Sequence, residues 1–189
     1  AELGAAGVAG VATLTGTLED GRTQVVGLLL QSDFMGRPNR STIAHDVTAA
    51  TDVTLCCFRK KPFEQLLLDM PHVGERLLEM ALDELDAARD WMLLLGRKTA
   101  REKVASFLVL VMRRSANPDA KTLGDVSRIE LPLSREMGAN FLGLTIETVS
   151  RQFSGLRKEG VIDLEGARSI LIKDPQQLAT LAGYDDLLT

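Results

Sequence analysis

Residues 131–160, LPLSREMGANFLGLTIETVSRQFSGLRKEG, constrain the chain most, because start and stop signals for two helices lie within one short span. Ser134 is a good N-cap, and the helix it opens buries Met137, Ala139 and Phe141 before Gly143 breaks the pattern. Gly138 is small enough to let a second helix approach closely. Thr145 caps that second helix, where Ile146, Val149, Phe153 and Leu156 recur at spacings of three and four and form one apolar stripe. Gly160 ends it as a C′ glycine. The spacing predicts a helix-turn-helix.

The face opposite the stripe carries Glu147, Ser150, Arg151, Ser154, Arg157 and Lys158. The first three lie in the opening turns at i, i+3 and i+4 and point the same way. In a DNA-binding helix-turn-helix this part of the second helix enters the major groove. There Arg151 can chelate guanine O6 and N7, Glu147 can accept from a cytosine or adenine amino group, and Ser150 can donate or accept. The plainer alternative is a solvated helix face with a Glu147–Arg151 ion pair at i,i+4. The turn, the two caps and the segment after Gly160 favour the DNA-binding one.

That segment, VIDLEGARSILIK, holds two short β-rich runs around a Glu165-Gly166 turn, which predicts a β-hairpin wing. Arg168 at its tip is either a phosphate contact or a solvated arginine.

With the hairpin behind it, LPLSREMGANFLGLTIETVSRQFSGLRKEGVI resembles the DNA-binding domain of the CRP/FNR family of bacterial transcription regulators. The E-x-x-S/G-R recognition element of that family falls on Glu147, Ser150 and Arg151, and the resemblance extends over nearly the whole chain. Cyclic-AMP-type members have arginine before the glutamate and glycine before the final arginine. Here those positions are Ile146 and Ser150, the serine as in the FNR-like, FnrL-type subgroup. The resemblance implies TTGAT half-sites in inverted repeat. It also implies phosphate contacts from Ser134, Arg135, Thr145 and Thr148, near helix N-termini that favour anions. RNA polymerase is an implied partner.

The rest of the chain agrees. Its 189 residues allow one large or two small domains, and 45% hydrophobic content with mean hydropathy near zero fits a globular protein. No apolar run is long enough to span a membrane, and AELGAAGVAG lacks the basic start of a signal peptide. Two adjacent cysteines cannot build a disulfide framework, which suits the reducing cytoplasm. The net charge of −4 argues against a nucleic-acid partner until its distribution is considered. Residues 1–96 hold 8 Lys/Arg against 14 Asp/Glu, whereas residues 97–189 hold 14 against 12. The basic balance lies with the helix-turn-helix.

From Val8 to Phe58, short β-rich runs alternate with turn signals: VAGVATLTGTL, Glu19-Asp20-Gly21, TQVVGLLLQ, Asp33 to Arg40, and DVTAATDVTLCCF. They predict an all-β sensory domain. LEDGRTQVVGLL and DFMGRP resemble the family's β-roll, entered late, since members have further strands before VAGVATLTGTL. Members that bind a cyclic nucleotide hold ribose and phosphate with a Gly-Glu and an Arg-Ser pair. Here Gly36 is kept, Arg37 replaces the glutamate, and Ser41 and Thr42 fall on the Arg-Ser positions, with Arg40-Ser41 one residue earlier. No cyclic nucleotide is expected. The resemblance places Cys56 on the inner cysteine that joins three N-terminal cysteines to ligate a [4Fe–4S] cluster in FNR-type sensors. The sequence contains only Cys56 and Cys57, an incomplete ligand set, and a small buried hydrophobe is the alternative role for either. His45 and His72 form no metal-ligand pattern, and Gly96-Arg97-Lys98-Thr99 lacks the upstream glycine and strand of a phosphate loop.

Pro71 opens a long helical stretch in which Leu78, Ala81, Leu85, Ala88, Met92 and Leu95 alternate at three and four, the spacing of a coiled-coil seam. The stripe could equally pack against the chain's own β-domain, and both roles are expected together, since Leu77, Leu82, Trp91 and Leu94 supply further apolar surface. In the family this helix is the dimer axis. Residues 96–99 form a hinge, and a Thr99-x-x-Glu102 capping box starts a helix burying Val104, Phe107, Leu108 and Val111. Asn117-Pro118 begins a polar loop, and Asp174-Pro175 caps a last helix through Leu178, Leu181 and Ala182.

The expected fold is therefore α+β: a partial, cyclic-nucleotide-binding-like β-roll over residues 1–70, a coiled-coil dimerisation helix and hinge over 71–98, and a winged helix-turn-helix over 99–189. The expected function is a homodimeric transcription regulator on a palindromic operator, answering oxygen or redox state. The rivals are a winged-helix module that binds protein and a family member answering another small molecule. No nucleophile-base pair, metal motif or phosphate loop in the sequence points to an enzyme.

Overall fold

Two glycines in the left-handed region set the path of the first strands. The computed structural model describes residues 3–31, 33–36, 45–115, 127–166 and 168–184. Gly10, at φ 89°, divides what the sequence presents as one β-rich run into β1 (Leu3–Ala9) and β2 (Ala12–Thr17). A Cβ there would stand 2.1 Å from the Asp52 carbonyl oxygen, so no other residue fits. Gly21, at φ 84°, closes the predicted Glu19-Asp20-Gly21 turn, donating its N–H to the Leu18 carbonyl at 2.9 Å. β3 (Thr23–Leu29), β4 (Phe34–Met35), β5 (Asp46–Ala49) and β6 (Thr54–Arg59) follow. They form two three-stranded sheets, β4-β1-β6 and β3-β2-β5, all pairs antiparallel.

In β6 the register sets Cys56 opposite Ala6 and Cys57 opposite Ala5. Alternation then puts Cys56 on the face of Phe58 and Cys57 on the face of Leu55. Both cysteines are exposed, so neither is the small buried hydrophobe that was the alternative role. Phe58 stacks with Phe34 and Phe63 at centroid distances of 5.5 and 4.6 Å. Phe63 lies on α1 (Lys60–Asp69), a helix the sequence reading passed over. Pro62 sits in its first turn, where the missing N–H has no intrahelical acceptor to lose. Arg37, Arg40, Ser41, Thr42 and the Asn117-Pro118 loop lie outside the described residues.

α2 (Pro71–Arg97) has 27 residues, a rod of about 40 Å. Every residue from 81 to 90 is exposed. Leu78, Leu85 and Met92 are 62%, 44% and 65% exposed, so of the two roles expected together, packing against the β-strands is not met by these residues. Leu95 is half-buried and Leu94 is buried. Among the described residues no helix is long and apolar enough to cross a membrane.

The chain divides into two compact units, Ala1–Met92 and Leu93–Thr189. The second is built on α3 (Ala100–Ser115), whose Val104, Phe107, Leu108 and Val111 are buried as predicted. The capping box is formed: Glu102 Oε2 accepts from the Thr99 N–H at 2.6 Å, and Thr99 Oγ1 accepts from the Glu102 N–H at 3.4 Å. These bonds to backbone and side chain of Thr99 hold the Glu102 carboxyl below its usual pKa. β7 (Ser127–Glu130), α4 (Arg135–Leu142), α5 (Ile146–Lys158), β8 (Ile162–Leu164), β9 (Ser169–Ile172) and α6 (Pro175–Ala182) complete the unit. The predicted hairpin is β8–β9, and β7 adds a third strand in the order β7-β9-β8. Phe107 meets Phe141 edge-on at 5.9 Å, joining α3 to α4.

Candidate nucleic-acid interface

The two helices of the motif are held by the caps that the sequence announced. Ser134 Oγ accepts from the Met137 N–H at 3.2 Å, and Thr145 Oγ1 accepts from the Thr148 N–H at 3.2 Å. Gly143 takes φ 60° between them. At the far end Gly160 takes φ 78°, its N–H reaching the Arg157 carbonyl while the Val161 N–H reaches that of Leu156, a Schellman closure. Val149, Phe153 and Leu156 are buried, each contributing roughly 1.5–3 kcal/mol.

Three details of the expected packing are corrected. Ile146, the first residue of α5, is 42% exposed and not part of the buried stripe. Met137 is half-buried, and Gly138 and Leu142 take part in the buried face instead. A Cβ on Gly138 would meet nothing within 4 Å, so close helix approach does not require that glycine.

Glu147, Ser150 and Arg151 are brought together, all exposed, on the first turns of α5. The expected rival arrangement, a Glu147–Arg151 ion pair, is not formed. The Glu147 carboxylate is drawn back to its own N–H and to the Thr145 hydroxyl, which hold its pKa below the ordinary value. Arg151 Nη2 donates to Thr148 Oγ1 at 3.4 Å. The two side chains are held apart and exposed on one face, an arrangement that leaves both able to meet base edges.

The predicted phosphate contacts fall at three places. Ser134 and Arg135 stand at the head of α4, and Thr145 and Thr148 at the head of α5, their hydroxyls 3.1 Å apart. Arg168 is exposed beside the hairpin turn, and its carbonyl accepts from the Leu131 N–H at 2.8 Å. Arg135 is half-buried: its guanidinium lies 3.7 Å from the centroid of the Phe153 ring, and burial lowers its pKa. The dimer-seam residues and Cys56 belong to other elements, α2 and β6.

Sequence reasoning missed the side chains that brace this interface. Arg157 Nε reaches Asp163 Oδ1 at 3.2 Å, and Arg128 Nε reaches Glu165 Oε2 at 2.7 Å, fastening α5 to β8 and β7 to the hairpin turn. Arg101 pairs with Glu159 through Nη1 and Nη2. Lys98, passed over as part of a failed phosphate loop, donates to Ser106 Oγ at 2.8 Å and to the Ala182 carbonyl at 2.6 Å. Glu165, Glu159 and Ala182 lie far along the chain from the residues they meet, where no local spacing signals them.

Two capped helices, an exposed groove-reading face and a braced hairpin define a winged helix-turn-helix protein of the DNA-binding class. Residues 102–181 match the Crp-like helix-turn-helix domain. The chain is 60% identical over 178 residues to the transcriptional activator protein FnrL of Cereibacter sphaeroides, covering 94% of this chain and 72% of that one. It is 42% identical over 176 residues to the nitrogen fixation regulation protein FixK of Bradyrhizobium diazoefficiens, covering 92% and 71%. The structure of FixK2 from Bradyrhizobium japonicum superposes with a TM-score of 0.84 at 34% identity, covering 95% of this chain and 87% of that one. The chain belongs to the CRP/FNR family of DNA-binding transcription regulators and is FnrL-like.

Proposed function

We propose that the protein acts in the cytoplasm as a homodimer on a palindromic operator of two TTGAT half-sites, together with RNA polymerase and with no catalytic role. The observation that carries this reading is the outward, unpaired set of Glu147 and Arg151 beside Ser150 on the first turns of α5. Two-fold symmetry would set the two recognition helices about 34 Å apart, one turn of DNA. Support for the dimer comes from α2, whose apolar seam is exposed along residues 78–92. A module that binds only protein has no need of a guanine-chelating arginine in that place. The test is a titration of the palindromic duplex against a random duplex. Arg151→Ala should cost about 1–3 kcal/mol on the palindrome and relax discrimination at the contacted base. Equal losses on both duplexes would remove the base-reading role.

Oxygen or redox state is the signal we propose, entering through Cys56. Cys56 is exposed on β6, and Ser150 is FNR-like. The cysteines of this sequence do not by themselves fit a [4Fe–4S] cluster, since Cys56 and Cys57 are two thiolates where four are needed. Among the described residues no group of three or more His, Cys, Asp and Glu gathers to hold a metal. Any cluster on Cys56 would draw its remaining ligands from outside these 189 residues. Iron and sulfide analysis after anaerobic reconstitution decides it: Cys56→Ser that retains full iron would exclude Cys56 as a ligand.

A further inference from the structure

Arg135 is placed where a cation ought not to be. It is the first residue of α4, at the positive end of the helix dipole. It is half-buried and makes no ion pair among the described residues. Its Nη1 is buried with no hydrogen-bond partner. Each of these features opposes folding, since a desolvated donor without an acceptor destabilises. What holds the guanidinium is the face of Phe153, 3.7 Å from ring centroid to Cζ. Phe153 is itself buried, 3% exposed, on the recognition helix. A single side chain therefore fixes a cation from α4 onto α5.

We propose that Phe153 is a positioning residue: its ring holds the Arg135 guanidinium in place so that a DNA phosphate meets a cation already fixed against the recognition helix. The proposal rests on the DNA-binding reading above. A flexible surface arginine loses rotamer freedom when it binds phosphate; one already stacked on a buried ring loses little. The anion also supplies the counter-charge that the folded protein withholds. Register on the backbone and depth of α5 in the groove are thereby set by the same pair of residues.

The experiment measures how the affinity of the intact protein for a random duplex and for the TTGAT palindrome depends on salt, for wild type, Arg135→Gln, Phe153→Leu and the double variant. Losing one phosphate contact per protomer should flatten the log-log slope by about 2 per dimer. We expect Arg135→Gln to flatten it by that amount, Phe153→Leu to keep the slope but weaken binding to both duplexes alike, the double variant to bind no more weakly than Arg135→Gln, and the ratio of palindrome to random affinity to stay within about two-fold. A Phe153→Leu protein with wild-type affinity for both duplexes and merely a lower Tm overturns the proposal and leaves the DNA-binding reading standing. A wild type that binds no duplex overturns both. Since Phe153→Leu removes buried core volume, nitrogen-proton NMR of wild type supplies a second arm that needs no variant. The Arg135 Nε–H resonance should be shifted upfield by the Phe153 ring current, and a position among the exposed arginines overturns the stack.

Discussion

Arg101, the second residue of α3, grips Glu159, the residue that closes the recognition helix, 58 positions away in sequence. The Arg101 partnership holds the Glu159 carboxyl below its ordinary pKa. A carboxylate with a depressed folded pKa stabilises above the unfolded value of about 4.3 and loses that contribution as pH falls through the folded one. Glu159→Gln should therefore lower Tm slightly at neutral pH, by an amount that shrinks to nothing once the pH has fallen below the folded-state pKa. Added salt should shrink it as well, because both side chains are over a third exposed. A Tm difference that persists unchanged in strong acid would assign the effect to the helix C-cap rather than to the ion pair.

Thr145 does two things at the head of α5: it caps the helix and lies beside Glu147. Thr145→Ala should cost about 1 kcal/mol of stability through the lost cap. Thr145→Ser, which keeps the hydroxyl, should restore most of it in chemical denaturation. A full loss in both variants would mean that the methyl group, and not the cap, is what matters.

Caps, glycines and apolar spacing made the DNA-binding unit legible in the sequence, because Ser134, Thr145, Asp174, Gly143 and Gly160 act over distances of two to four residues. What stayed hidden acts over long separations. β7 has a single buried apolar residue, Ile129, and becomes a strand because β9 pairs with it. α1 carries Leu66, Leu67 and Leu68 in a row, a pattern with no helical stripe. Ile146 shows the opposite failure: its spacing fits the buried stripe, but helix periodicity says nothing of where the neighbouring helix ends.

Exposed at the first turn of the recognition helix, Ile146 offers an apolar surface beside Glu147. The apolar feature of the major groove is the thymine methyl. In a TTGAT half-site Ile146→Ala should weaken binding by about 1 kcal/mol, the scale of one or two methylenes removed from contact. Replacing the half-site thymines by deoxyuridine should weaken wild type similarly and leave Ile146→Ala nearly unaffected. Equal penalties for the variant on both duplexes would show that Ile146 does not meet a methyl.

Leu85 lies midway along an exposed apolar seam, between Leu78 and Met92, and is flanked by Ala81 and Ala88, whose small side chains permit close approach of a second helix. In the proposed homodimer a partner helix of the same chain would bury this exposed stripe of the 27-residue helix against its own copy by two-fold symmetry. Leu85→Glu would place a charge in the middle of that contact, where it must be desolvated without a partner. Sedimentation should then show the variant shifted toward monomer at concentrations where wild type is dimeric. Because each half-site needs its own recognition helix, the same variant should lose affinity for the palindrome far more than for a single half-site. A variant that remains a dimer with wild-type affinity would place the dimer contact on another surface and leave the seam of α2 without that role.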